Sequence, residues 1–355
     1  MRIGIIGGSS QVGSSLALYF KHFSNTDVVC FVRSTYSTIF FELFDIAFDK
    51  IDFNDSEKLQ QQFQGLDAVI DCSYPAVQLY DILPAIRRNL NAIITAMPES
   101  AIFIYMSSIM AYGMPPEEKY VKHYAIPRSS YAYIKRQAER EVVRLCEKYD
   151  RKGYNFRLSQ VHGFLQSVSN SFRGKLSISP AAYISGSAQE LTNTIFINSV
   201  CAAVLKCVSG EVKPGLYTLV SQPQWTLEEL YTYYTVHYDI DSRLHFFDEK
   251  ARPLRKESSF ISAILGRAKK YRPMLETYVL LRLPNFFVEL KGRYRQSEVY
   301  RTVNSAHTTE PIHENLLGPP PLATINSIES SVTEVAAHEK KMEDFYNKII
   351  AGNRK

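Results

Sequence analysis

Tyr131 and Lys135 stand four residues apart in the stretch SSYAYIK, and Ser108 closes the stretch YMSS 23 residues upstream of Tyr131. Four-residue spacing puts the phenol and the amine on one face of a helix. The three side chains together suit exchange of a hydride with a carbinol or carbonyl carbon, during which a proton must leave or join the oxygen. A phenol with an ordinary pKa of about 10 is a poor base at neutral pH. An ammonium beside it, helped by the positive charge of an oxidised pyridine ring, favours phenolate. A downward shift of about 3 units corresponds to roughly 4 kcal/mol, enough to let Tyr131 act as acid or base. Ser108 would bond to the substrate oxygen and stabilise charge developing there. In a chain with 23 tyrosines such a pair also arises by chance, and a tyrosine packed on a sheet beside a surface lysine reads the same way. The conjunction with a strand-ending serine is what gives it specificity.

A hydride donor or acceptor has its own signature, and one stands at the amino terminus. The stretch RIGIIGGSSQVGSSLALYF passes from an apolar run to Gly7, Gly8, Ser9, Ser10, Gln11, Val12 and Gly13, then to an apolar-periodic segment. Strand, glycine turn and helix are the context a dinucleotide site requires. Gly7 allows a tight turn, Gly13 allows close helix packing, and the helix start presents N–H groups and a positive dipole end to a pyrophosphate. Ser10 holds the middle position, where close backbone approach favours glycine, and its hydroxyl can donate to a phosphate oxygen. The residue after the second strand is Arg33, followed by Ser34, with no acid to hold a ribose 2′-hydroxyl. That choice points to NADP, with NAD as the alternative. A solvated surface arginine is the competing reading of Arg33. Asp52 is placed either at the adenine edge or as a helix cap. Lys135 would also hold the nicotinamide ribose.

The elements that must position these groups alternate. Strands are expected at 3–6, Asp27–Ser34, Lys50–Phe53, Leu66–Ser73, Ala101–Ser108 and Tyr154–Gly163. Helices are expected at Ser14–Phe23, at SEKLQQQFQG with Ser56 as cap and Gly65 as stop, at about Leu79–Thr95 and at Ser130–Tyr149. Alternation of this kind implies right-handed crossovers and a doubly wound parallel sheet of the α/β Rossmann class, with its ligand crevice beyond the carboxyl ends of the strands. Residues 1–165 form the expected dinucleotide-binding domain, to which 195–222 return. Residues 166–194 and 223–315 form a smaller substrate domain. Residues 316–355 are a linker with three consecutive prolines and a final helix at about 332–350.

Several motifs resemble the extended short-chain dehydrogenase/reductase family, in its nucleotide-sugar epimerase, dehydratase and reductase group. The glycine turn is similar to G-x-x-G-x-x-G with Ser10 in the middle, and LDAVIDCS resembles the fourth strand, which passes beneath the cofactor. That likeness brings Cys72 and Ser73 to the cofactor. SSIMAYG is similar to S-S-x-x-V-Y-G and puts the catalytic serine at Ser108, while Tyr131 and Lys135 match Y-x-x-x-K. RLSQVHGF, IFINSVCAAV and GLYTLVSQPQWTLEEL resemble later family segments, with departures at Gln160, His162, Phe164, Asn198 and Ser199. The resemblance covers roughly residues 1–240. It implies a Ser108–Tyr131–Lys135 catalytic set, a nucleotide-sugar or related anionic substrate, and homodimerisation near the Tyr–Lys helix. Ile109 and Met110 replace the acidic pair of family dehydratases, which argues against water elimination. Arg33 favours an NADPH-using reductase over a 4-epimerase with resident NAD, although the same three residues serve either. A non-catalytic NADP sensor is the alternative from another class, and an intact proton relay argues against it.

Bulk properties fit an enzyme. The 355 residues are 45% hydrophobic with a net charge of +5. No dense basic stripe accompanies a nucleic-acid motif, so nucleic acid is not an expected partner. Five cysteines form no C-x-x-C pair, the histidines show no metal spacing, and the start lacks a signal-peptide pattern, so a reduced cytoplasmic setting is expected. From Lys250 to Arg301, 13 basic residues face four acidic ones, for about +9. Solvated helix faces, an arginine clamp on a substrate diphosphate and contact with an anionic membrane surface are the readings of that stretch. Trp225 reads as a core residue rather than a sugar platform.

Overall fold

The computed structural model describes residues 1–34, 38–79, 81–112, 130–178, 180–221, 224–247 and 332–352. In chain order the elements are β1 (Arg2–Ile6), α1 (Gln11–Phe23), β2 (Asp27–Val32), α2 (Ile39–Leu43), β3 (Ala47–Lys50), α3 (Ser56–Phe63), β4 (Ala68–Asp71), α4 (Ile82–Ala96), β5 (Ile102–Ser108), α5 (Ser130–Lys148) and β6 (Lys152–Leu158). Then follow β7 (Gln160–His162), α6 (Ser167–Ser177), β8 (Ala181–Ser185), β9 (Thr194–Phe196), α7 (Ile197–Val208), β10 (Gly215–Leu219), α8 (Leu227–His237), β11 (Arg243–Phe247) and α9 (Val332–Gly352).

Seven strands form one sheet in the order β10-β6-β5-β4-β1-β2-β3, and every neighbouring pair is parallel. The chain runs outward from β1 to β3, then returns to β4 on the other side of β1. The expected doubly wound Rossmann-type fold is therefore present, and its switch point lies between β1 and β4, where such sheets bind ligands. Both faces are buried, as parallel sheets require. Ile3, Ile5, Ala68 and Ile70 pack with α1 and α7 on one side. Ile6, Val69, Phe103 and Tyr105 pack with α3, α4 and α5 on the other. A third cluster gathers Leu176, Phe196, Trp225, Leu230, Tyr233, Tyr234 and Val335, with Trp225 2% exposed against Phe196.

Local chemistry moves several boundaries. Helix α1 starts at Gln11 rather than Ser14, because the Ser10 hydroxyl caps it by accepting from Gly13 N at 3.1 Å. Asp55, not Ser56, caps α3, accepting from Lys58 N at 3.0 Å, while Gly65 ends the turn beyond it at φ +73°. The third strand is Ala47–Lys50 and not Lys50–Phe53, since the pairing with β2 stops at Lys50. The expected strand at Tyr154–Gly163 breaks at Ser159: β6 stays in the main sheet, and β7 pairs instead with β9.

Helix α9 fastens the two halves of the molecule together. Its Val335, Glu339 and Met342 are fully buried. His338 stacks on Tyr19 of α1, Tyr346 stacks on Phe44 after α2, and Glu343 lies 3.6 Å from His237 at the end of α8. The basic stretch from Lys250 to Arg301 and the proline-rich linker lie outside the described residues. No helix among the described residues is long and apolar enough to cross a membrane.

Candidate active site

The glycine turn sits at the carboxyl end of β1. Gly7 takes φ +74°, its N–H donates to Phe31 O at 3.1 Å, and its carbonyl accepts from Ser10 N at 2.9 Å. Only glycine fits at three positions here. A Cβ on Gly13 would lie 2.4 Å from Gly7 O, and one on Gly7 would lie 2.9 Å from the Ser73 backbone. One on Gly8 would lie 2.6 Å from Cys30 Cβ. Gly7 and Gly13 thus do what their positions suggested, and Gly8 is a third constraint that the motif alone did not single out. The Ser10 hydroxyl oxygen accepts the helix-capping bond from Gly13 N, which leaves its O–H able to donate. Gln11 turns its side chain away, accepting from the Ser167 hydroxyl at 3.0 Å, while Gln166 Nε2 donates to its carbonyl at 3.0 Å. The N–H groups of Gln11 and Val12 are not taken up by the cap. This cradle fits a dinucleotide pyrophosphate at a helix start, and Ser9 stands exposed beside it.

Cys72 and Ser73 follow β4 directly and form the wall against Gly7. Arg33 is exposed just past β2 and Ser34 is half-buried. Asp52 is exposed, and its carboxylate accepts from Asn54 N and Nδ2, both at 3.0 Å, in the turn before α3. That bonding fits the turn-forming reading of Asp52 better than the adenine-edge reading.

On the other side of the switch point β5 ends at Ser108. The Ser108 hydroxyl accepts from Met110 N at 3.2 Å and lies close enough to the Tyr131 phenol to favour its ionised form. Lys135, one turn along α5, is buried, and its Nζ donates to Met106 O at 2.8 Å. That Nζ lies 4.7 Å from the centre of the Tyr105 ring, 5.7 Å from Tyr74 and 5.9 Å from Tyr131. Tyr74 and Tyr131 pack with ring centres 5.5 Å apart. The structure therefore brings Ser108, Tyr131 and Lys135 together. Burial pushes the Tyr131 phenol above its ordinary range, with the neighbouring Ser108 hydroxyl opposing. The protein alone does not supply the expected lowering, because the lysine charge is turned toward Met106 and is itself buried. Burial pushes Lys135 down to about 8, against the pull of Asp71, Cys72 and Glu139.

One turn beyond Lys135 stands a residue the sequence reading passed over. Glu139 is 3% exposed and receives Arg157 of β6 at 2.9 and 2.6 Å. It also accepts from the Ser107 hydroxyl next to Ser108. Ser107 and Arg157 are register partners on adjacent strands. The pair thus pins the Tyr131–Lys135–Glu139 face of α5 onto the strand that carries Ser108. Arg136 adds a second tie through Ala111 O at 2.8 Å. The available signal was the third member of an i, i+4, i+8 series and a lone arginine inside an apolar strand.

A family model described as the NAD dependent epimerase/dehydratase family matches residues 3–184, just over half of the chain. The chain belongs to that family. Its fold is that of solved extended short-chain dehydrogenases/reductases. The UDP-N-acetylglucosamine 4-epimerase from Bacillus cereus matches with a TM-score of 0.56 and 16% identity over 72% of this chain and 89% of its own. The dTDP-glucose 4,6-dehydratase from Bacillus anthracis, solved with NAD, matches at 0.55 and 14% over 70% and 85%. The ADP-L-glycero-D-manno-heptose-6-epimerase from Helicobacter pylori matches at 0.54 and 19% over 70% and 85%. At these identities the likeness is one of fold. No curated protein matches the chain in sequence.

Proposed function

We propose that this family member transfers a hydride to or from a keto or hydroxyl carbon of a nucleotide-activated sugar, with NADP(H) as cofactor and Ser108, Tyr131 and Lys135 as its catalytic set. The observation that carries the reading is the gathering of Ser108 at the end of β5 with Tyr131 and Lys135 one turn apart on α5, at the carboxyl edge of the sheet, with Lys135 Nζ 5.9 Å from the centre of the Tyr131 ring. A nicotinamide bound there supplies or accepts the hydride. Tyr131 gives or takes the proton on the substrate oxygen, and Ser108 bonds to that oxygen as its charge changes. Lys135 keeps a positive charge behind the phenol and holds the ribose. Gly7, Ser9, Gln11, Val12 and Gly13 receive the pyrophosphate, with Ser10 capping the helix that faces it. Cys72 and Ser73 line the far wall. Arg33, exposed after β2 with Ser34 beside it, pairs with a 2′-phosphate. In this reading residues 1–165 with 195–222 hold the cofactor, and 166–194 with 223–315 hold the sugar nucleotide.

A second reading, a 4-epimerase keeping NAD bound through its cycle, is favoured by the fold's likeness to solved epimerases. Incubation of the full chain with a keto-sugar nucleotide and NADPH, followed at the nicotinamide absorbance, separates the two. A reductase consumes cofactor one for one, whereas an epimerase leaves it unchanged while the sugar is inverted. Tyr131→Phe abolishes turnover in both readings while leaving cofactor binding, and full activity in that variant refutes both.

A further inference from the structure

Lys135 Nζ lies 4.7 Å from the centre of the Tyr105 ring, and Tyr105 is the strand-register partner of Asp71, so a buried ammonium and a buried carboxylate flank one ring. Among the described residues three groups pull the proton affinity of Lys135 upward: Asp71 and Cys72 at the end of β4, and Glu139 on α5. Glu139 is already engaged by both Arg157 nitrogens and by Ser107. Burial pushes the Cys72 thiol far up, so it stays neutral. Asp71 remains. It is 3% exposed, lies beside Tyr105 in strand register, and faces the same side of the sheet as α5. Its Oδ1 accepts from Ser73 N at 2.8 Å.

We infer that Asp71 is a positioning residue whose buried carboxylate keeps the Lys135 ammonium protonated behind the Tyr131 phenol. Both groups reach outward through fixed partners, Ser73 for the carboxylate and Met106 O for the ammonium, so neither can swing to solvent without breaking a bond. The coupling is mutual. Burial pushes Asp71 up, and Ser73 and Lys135 hold it down. Among the described residues the other ionisable groups facing the pair are the phenols of Tyr74, Tyr105 and Tyr131, all raised chiefly by burial and uncharged at neutral pH. Removing the Asp71 charge leaves an ammonium in a dry site with Glu139 already committed, and such a group sheds its proton at lower pH. The catalytic consequence rests on the proposed role of Tyr131 and Lys135, whereas the electrostatic pairing does not.

The test uses the full chain labelled with 15N-lysine. The Lys135 ammonium is assigned by its loss in Lys135→Met and titrated by NMR in the wild type and in Asp71→Asn. The titration of Lys135 should fall by about one pH unit or more in Asp71→Asn, a tenfold loss of proton affinity, and Asp71→Glu should restore it. The alkaline limb of the kcat/KM profile should move down with it. An unchanged Lys135 titration overturns the inference. A moved titration with an unmoved profile upholds the pairing and instead removes Lys135 from the chemistry. Should Asp71→Asn fail to fold, the reciprocal measurement decides: Lys135→Met should raise the Asp71 carboxyl titration, and an unchanged carboxyl refutes the pairing.

Discussion

Arg157 meets Glu139 through two parallel bonds, Nε to Oε1 at 2.9 Å and Nη2 to Oε2 at 2.6 Å, with the two side chains 1% and 4% exposed. A buried pair of this geometry contributes little net stability, yet breaking it is costly because one charge is left stranded. Glu139→Leu or Arg157→Leu should each lower the stability of the chain by about 3–5 kcal/mol. The joint replacement Glu139→Leu with Arg157→Leu should recover most of that. Urea midpoints of the four proteins measure the cycle. Equal losses that simply add in the double variant would show that the two residues act independently. Because Ser107 also bonds to Glu139, the singles should reduce turnover even where they fold.

The glycine turn makes a sterically defined prediction. A methyl group at Gly13 meets the Gly7 carbonyl at 2.4 Å, and relief requires the turn to open. Gly13→Ala should therefore weaken dinucleotide binding by at least tenfold and cost about 1–3 kcal/mol of stability. Gly65→Ala is the comparison. Gly65 has positive φ, which Gly13 does not, but open space around it, so this substitution should cost about 1 kcal/mol and leave dinucleotide affinity alone. Fluorescence titration with NADPH and thermal melts report the two quantities. Undiminished binding in Gly13→Ala would remove the pyrophosphate from this turn.

Much of this arrangement was legible because apolar runs and helical periodicity are local properties. Most strands of the main sheet, the strand, glycine turn and helix order at the amino terminus and the four-residue spacing of Tyr131 and Lys135 follow from them. What was not legible depends on partners distant in sequence. Asp71 looks like any acid closing a strand until β5 and α5 place Tyr105 and Lys135 against it. Glu139 looks like a solvated helix charge until Arg157 arrives from β6. The break at Ser159 is not marked by any glycine or proline between Tyr154 and His162, because the reason for it is pairing of β7 with β9. Glu339 belongs to the same kind: it sits in a charged, amphipathic helix, and its partner is a backbone N–H 175 residues away.

Arg33 tests the cofactor choice. It is exposed beyond the end of β2 and makes no ion pair with a described residue. A charge-assisted bond to a phosphate contributes about 1.5–3 kcal/mol. Arg33→Asp should weaken NADPH binding by about ten- to a hundredfold and should leave NADH binding unchanged or improved. Dissociation constants for both cofactors, measured on wild type and variant, give the ratio. Were the wild type to bind NADH more tightly than NADPH, the assignment of NADP would fail irrespective of the variant.

Glu339 gives the molecule a pH-dependent fastening. Its carboxyl is fully buried on α9, and one oxygen accepts from Phe164 N at 2.9 Å while the other finds no bond among the described residues. Burial pushes it from 4.5 up to about 8, helped by the neighbouring Glu343 carboxylate and opposed by the Phe164 bond. A folded state that holds this proton more tightly than the unfolded chain is stabilised in full below about pH 4.5. It loses that stabilisation as pH rises through about 8, with a slope of up to about 1.4 kcal/mol per pH unit from this one group. Glu339→Gln keeps the shape and the hydrogen bond without the titration. Its stability should match the wild type near pH 5 and exceed it at pH 9, with hydrogen exchange showing α9 as the segment that loosens in the wild type. Parallel pH profiles for the two proteins would mean that the Glu339 carboxyl is ionised in the fold, with α9 tolerating a buried charge.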